Sequence, residues 1–211
     1  MGALSGASIL IIGASHLSTP GYLGTTLNDA LLSKGAQVHS LGVCGSIPSE
    51  WTRESRGNCG GAERVGSGPL KLKIGSSAHT VPIEELIQTE KPNLLIFVAG
   101  DTLGDYQKPS LNLQWVNSEI TVFNKIVARS KVKCAWVGPA WGEEGNSSGK
   151  TYARVSQVSE LLSKSLRSCS YIDSLKMSKP GEWKTIDGIH YQDQYYKQWG
   201  NKIAEEIAKL E

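Results

Sequence analysis

The sequence predicts an α/β fold: a three-layer α/β/α sandwich, flavodoxin-like, with helices on both faces of a mostly parallel five-stranded sheet. Three observations carry this. Short apolar runs end in glycine, helical stretches separate them, and 211 residues are enough for one sizeable hydrophobic core. We therefore expect a single domain over residues 1–211.

The elements follow in order. Ser8-Ile9-Leu10-Ile11-Ile12 is a continuous apolar run closed by Gly13, the pattern of a strand buried on both faces. Residues 22–34 then place Leu23, Leu27, Ala30 and Leu31 at helical spacing and stop at Gly35, which suits a helix C-terminus. Residues 36–43, 94–98 and 132–137 read as further strands, and 171–173 as a shorter fifth. Helical patterns cover 83–89, 117–130, 152–168 and 192–210. Strands alternating with helices imply right-handed crossovers, with the functional crevice beyond the carboxyl ends of the strands. Residues 46–80 stand apart as an irregular, glycine-rich insertion, in which 70–74 and 79–83 are expected to pair as a hairpin around Gly75-Ser76-Ser77.

Composition excludes several functions. The 22 Lys and Arg residues against 20 Asp and Glu give a net charge of +2, and no basic cluster could track a phosphate backbone, so nucleic acid is not an expected partner. No apolar run approaches the roughly 20 residues of a membrane-spanning helix. No His or Cys pair has the spacing of a zinc site, so neither metal nor cofactor is expected. The N-terminal Met1-Gly2-Ala3-Leu4-Ser5-Gly6 lacks the basic start and apolar core of a signal peptide, which leaves the compartment to the cysteines. The 4 cysteines permit three pairings. The local one, Cys44 with Cys59 and Cys134 with Cys169, is expected because each lies at a strand end or in a loop. Paired cysteines point to a periplasmic or secreted protein; four reduced thiols would suit the cytoplasm.

Two places can carry chemistry. Ser15 follows the first strand in Gly13-Ala14-Ser15-His16, on a turn where a hydroxyl can face the crevice and backbone amides can stabilise negative charge. By itself such a serine equally suits a helix cap. Near the other end, Thr185-Ile186-Asp187-Gly188-Ile189-His190 sets a carboxylate and an imidazole three apart across a tight turn. This spacing lets Asp187 fix the tautomer of His190 and stabilise its protonated form.

Ser15, Gly45 after the second strand, Gly100-Asp101-Thr102 after the third, and Asp187 with His190 occur in an order that resembles the SGNH hydrolase superfamily, the GDSL-type esterases and acyltransferases. The resemblance spans the chain from Ser8 to about Ile207. Its most specific part is Trp183-Lys184-Thr185-Ile186-Asp187-Gly188-Ile189-His190-Tyr191, which matches the last block of the family. In the first block Gly13-Ala14-Ser15 keeps the serine but has alanine for the usual acidic residue. In the third, Thr102 stands where the family has asparagine.

The resemblance implies a serine hydrolase with Ser15 as nucleophile, His190 as base and Asp187 as its orienter. Its oxyanion hole would comprise the Ser15 and Gly45 amides, with Thr102 in place of the asparagine. Asp101 and His16 are candidates to line the substrate site. Six tryptophans and seven tyrosines against two phenylalanines favour rings that stack on sugars while keeping a polar edge, and Trp51 and Trp141 are the ones expected on the crevice side. Trp115, Trp136 and Trp199 read as packing residues, and His39 and His79 as structural. The expected substrate is an acylated carbohydrate, and the expected protein a monomeric O-acetylesterase. The alternatives are an O-acetyltransferase with the same triad, or a glycan-binding domain weakened in turnover by the loss of the asparagine.

Overall fold

The computed structural model describes residues 2–210. Its strands are β1 (Ser8–Gly13), β2 (Gln37–Val43), β3 (Gly61–Val65), β4 (Lys71–Lys73), β5 (Leu94–Val98), β6 (Lys133–Val137) and β7 (Ser170–Ile172). The helices are α1 (Leu23–Ser33), α2 (Ile83–Glu90), α3 (Leu113–Ser130), α4 (Tyr152–Ser165) and α5 (Asp193–Ala208). The strands form one sheet in the order β4-β3-β2-β1-β5-β6-β7. Every pair from β2 through β1, β5 and β6 to β7 is parallel, while β3 and β4 run antiparallel.

The sandwich follows from the period of two along the buried strands. Ile9 and Ile11 of β1 face Leu23, Leu27 and Leu31 of α1 and Trp199, Ile203 and Ile207 of α5. Leu10 and Ile12 face the other way, onto Ile83 of α2, Ile120 and Phe123 of α3, and Val158 and Leu162 of α4. Trp136 and Trp199 are buried in these two cores, and Trp115 packs at the margin of one.

The sheet has seven strands, not five, because the insertion is not irregular throughout. Residues 71–73 do not pair with 79–83. They pair back onto β3, with Ala62 opposite Leu72, around a turn in which Gly66 takes a positive φ of 55°. His79 makes only a single bridge with Arg56. The Thr80 hydroxyl lies 2.8 Å from each of the Glu50 and Arg53 carbonyls, which draws this stretch away from β4 and toward the preceding loop. Helix α3 begins a turn earlier than its apolar spacing implies, because the Asn112 side chain accepts the Trp115 N–H at 3.0 Å and caps it.

Both expected disulfides are present, Cys44 with Cys59 and Cys134 with Cys169. Among the described residues no helix is long and apolar enough to cross a membrane, and no group of His, Cys, Asp and Glu could hold a metal ion.

Candidate active site

The site lies at the carboxyl end of β1. Gly13 pairs with Gly42 of β2 on one side and with Val98 of β5 on the other, so the turns after these three strands sit side by side. Only glycine fits at position 13, since a Cβ there would come within 2.1 Å of the Val98 carbonyl oxygen. The chain then makes one 3-10 turn over Ser15–Leu17, which lifts Ser15 out of the sheet.

The partner of Ser15 comes from the other end of the chain. Residues 184–192 fold into a small loop of antiparallel character, in which Ile186 N–H donates to the His190 carbonyl at 2.8 Å and Gln192 N–H to that of Lys184 at 3.0 Å. Glu143 fastens the loop from outside by accepting from the Thr185 N–H and hydroxyl, both at 2.7 Å. In this frame His190 Nε2 lies 2.7 Å from Ser15 Oγ, and its Nδ1 lies 2.6 Å from Asp187 Oδ2. The other oxygen of Asp187 accepts from the Ile189 and His190 N–H groups at 2.9 and 2.8 Å. Partial burial alone would raise the Asp187 carboxyl. These three hydrogen bonds outweigh it and hold the group below the usual carboxylate range. Tyr22 stacks on His190 with ring centroids 5.6 Å apart.

Serine, histidine and aspartate thus stand in the geometry of a nucleophile, a base and its orienter. Gly45 follows β2 with a positive φ of 80°, and the Ser46 hydroxyl, 3.4 Å from the Gly13 carbonyl, ties its turn to the end of β1. The backbone N–H groups of Ser15 and Gly45 have no acceptor among the described residues. The Thr102 hydroxyl is buried and likewise without a hydrogen-bond partner among them.

Three expectations are corrected. Asp101 does not face the crevice to bind a sugar. It is buried, with Oδ1 accepting from Lys150 Nζ at 2.5 Å and from the Tyr106 hydroxyl at 2.6 Å, and Oδ2 lying 2.8 Å from His16 Nε2. His16 does not line the pocket either, since it is 4% exposed and its Nδ1 is engaged by the Tyr196 hydroxyl at 2.7 Å. Trp51 is wholly buried in the core against Phe97, its indole N–H given to Ser46 Oγ at 3.1 Å, so no sugar can reach it. Trp141 follows β6 and is half-buried, with its indole N–H 3.0 Å from both the Leu175 and Ser178 carbonyls. His39 is structural as expected, held between Glu90 and Glu63 at 2.7 and 3.0 Å.

Sequence reasoning did not single out Lys150, Tyr106, Tyr196 or Tyr22. Tyr196 and Tyr22 carried a faint signal, as aromatic residues near the ends of helices that flank the site.

At 34% identity over 212 residues, the sequence matches Protein BcsX of Komagataeibacter xylinus, covering 98% of this chain and 80% of that protein. The chain belongs to the BcsX family. No protein-family model matches it. Its fold is that of the SGNH hydrolases, as the resemblance implied. A lipase/acylhydrolase from Enterococcus faecalis superposes with a TM-score of 0.63 at 14% identity, covering 97% of this chain and 96% of that one. An acetylxylan esterase from Geobacillus stearothermophilus gives 0.58 at 13%, with coverage of 96% and 94%. A peptidoglycan O-acetylesterase gives 0.59 at 11%, with coverage of 99% and 92%.

Proposed function

We propose that this member of the BcsX family is a serine esterase that removes O-acetyl groups from a carbohydrate. The observation that carries the reading is the continuous chain of contacts from Ser15 through His190 to Asp187. In this reaction Ser15 Oγ attacks the ester carbonyl while its proton passes to His190 Nε2. Asp187 keeps His190 Nδ1–H directed at its own oxygen and stabilises the imidazolium that forms. The Ser15 and Gly45 amides, with the Thr102 hydroxyl, donate to the oxyanion. The His190 proton then goes to the leaving sugar hydroxyl, and water, activated by the same imidazole, releases acetate from Ser15.

An acetylated carbohydrate as substrate is supported by the acetylxylan esterase and peptidoglycan O-acetylesterase among the proteins of like fold. Two disulfides support a periplasmic or secreted setting. Each chain holds a complete triad, in keeping with action as a monomer.

The test is release of nitrophenol from nitrophenyl acetate, with and without added oligosaccharide. We expect turnover in the native protein and a fall of at least about 1000-fold in Ser15→Ala. Equal rates in the two proteins would remove Ser15 as nucleophile, and acetylated oligosaccharide among the products would replace hydrolysis with transfer.

A further inference from the structure

Behind the triad lies a buried charged cluster that the reaction above does not use. The Lys150 side chain is fully inaccessible and that of Asp101 is 7% exposed, yet they form a 2.5 Å ion pair. The same carboxylate meets His16, the residue next to Ser15, and the His16 ring centroid is 5.3 Å from that of His190. The cluster thus joins the nucleophile turn, the turn after β5, the loop leading into α4, and helix α5 through Tyr196.

The hydrogen atoms can be placed. The Tyr196 hydroxyl donates to His16 Nδ1, and His16 Nε2–H donates to Asp101 Oδ2, so the imidazole is satisfied while neutral. Asp101 carries one negative charge and Lys150 one positive, and His16 needs none. The other titratable or charged groups around His16 are His190, with Asp187 beyond it, and Tyr191, whose ring lies 6.4 Å away. Tyr106 and then Arg154 adjoin Asp101, while Tyr22 touches Tyr196 and His190. Among all of these, Lys150 is the cation that contacts Asp101.

We propose that Lys150 is a positioning residue that keeps His16 uncharged by neutralising Asp101, so that no second imidazolium forms beside the catalytic base. A carboxylate stranded in the interior draws a proton onto the nearest base. Without Lys150 that base is His16. An imidazolium there would oppose the charge that His190 acquires when it takes the Ser15 proton, across a few ångströms of low-dielectric protein. Burial already lowers the proton affinity of His16, and the nearby Lys150 and His190 act in the same direction against the pull of Asp101.

The effect on rate rests on the serine-esterase reading, but the protonation of His16 can be read without it. The experiment is an NMR pH titration of the histidine ring signals, assigned with single His→Gln variants, in the native protein, Lys150→Met and the double variant Asp101→Asn/Lys150→Met. We expect the His16 midpoint in the native protein to lie below its ordinary value of 6.5. In Lys150→Met that midpoint should be raised by about one pH unit or more. In the double variant, which lacks both charges, it should be low again. The acid limb of kcat/KM should move to higher pH in Lys150→Met with KM little changed, and return in the double variant. A merely structural lysine would lower stability without moving that limb.

An unmoved His16 midpoint in Lys150→Met overturns the proposal. Should that variant fail to fold, Lys150→Gln, which removes the charge but keeps a polar group in the site, is titrated in its place: a raised His16 midpoint upholds the proposal and an unmoved one overturns it. If the native protein has no esterase activity, the serine reading fails while the titration still judges the role of Lys150.

Discussion

Gly45 shows how much one residue can carry. Its φ of +80° strains any side chain, and a Cβ there would lie 2.8 Å from the Asn58 amide nitrogen. Gly45→Ala should tilt the turn and misdirect the N–H that we propose donates to the oxyanion, at a cost of about 100-fold in kcat. KM should change little, because the donor acts in the transition state. Steady-state kinetics on nitrophenyl acetate would check this, and an unchanged kcat would remove Gly45 from the oxyanion hole. The residues of the site were legible to unequal degrees, for a physical reason. Asp187 and His190 are three apart and meet within their own turn, so the motif shows their contact. Asp101 meets Lys150 49 residues away and His16 85 residues away, while His16 meets Tyr196 180 away. No local pattern records that these polar groups satisfy one another in the interior, so Asp101 and His16 read as crevice residues. Trp51 misled in the same way, since a tryptophan in a glycine-rich stretch gives no sign that the stretch folds back over Phe97.

Among the elements, the short edge strand β7 depends on a covalent tie. Cys134 of β6 and Cys169 just ahead of β7 close a loop of 35 residues that contains α4. Replacing both with alanine releases that loop in the unfolded chain and should lower stability by about 4 kcal/mol. The urea midpoint would show it, with kcat on nitrophenyl acetate preserved at low denaturant because neither cysteine touches the triad. An unchanged midpoint would mean that packing of α4 alone holds this edge. The same contrast explains which strands the sequence displayed. β1 and β5 are flanked by strands on both sides and covered by helices on both faces, so they appear as apolar runs. β3 and β4 lie at the opposite edge, where Ala62 is buried but Val65 is 65% and Leu72 56% exposed. Strands so poorly covered leave no period of two to find, and their pairing depends on the Gly66 turn.

At the scale of the whole molecule, the buried cluster makes stability depend on pH in a direction that can be worked out. His16 binds its proton less readily in the folded protein than at its ordinary value of 6.5. Below pH 6.5 the unfolded chain gains a proton there while the folded chain does not, so acid favours unfolding by up to about 1.4 kcal/mol per pH unit. His39, held by Glu90 and Glu63, is shifted upward despite its burial. Its contribution has the opposite sign, present in full below 6.5 and lost as pH rises through its folded value. Asp101 enters later: burial opposes its charge, but Lys150 and His16 hold it well below 3.8, so its contribution is lost only as pH falls beneath that value. Between pH 6.5 and 5 the His39 contribution is therefore nearly constant and that of His16 changes, which a variant can isolate. His16→Gln removes the titration of His16 and leaves His39 in place. Melting temperatures measured across this window should decline toward acid less steeply in His16→Gln than in the native protein, whatever the absolute stability of the variant. Parallel curves would mean that His16 takes up its proton equally in the folded and unfolded chains, and the neutral, Lys150-guarded imidazole would have to be abandoned.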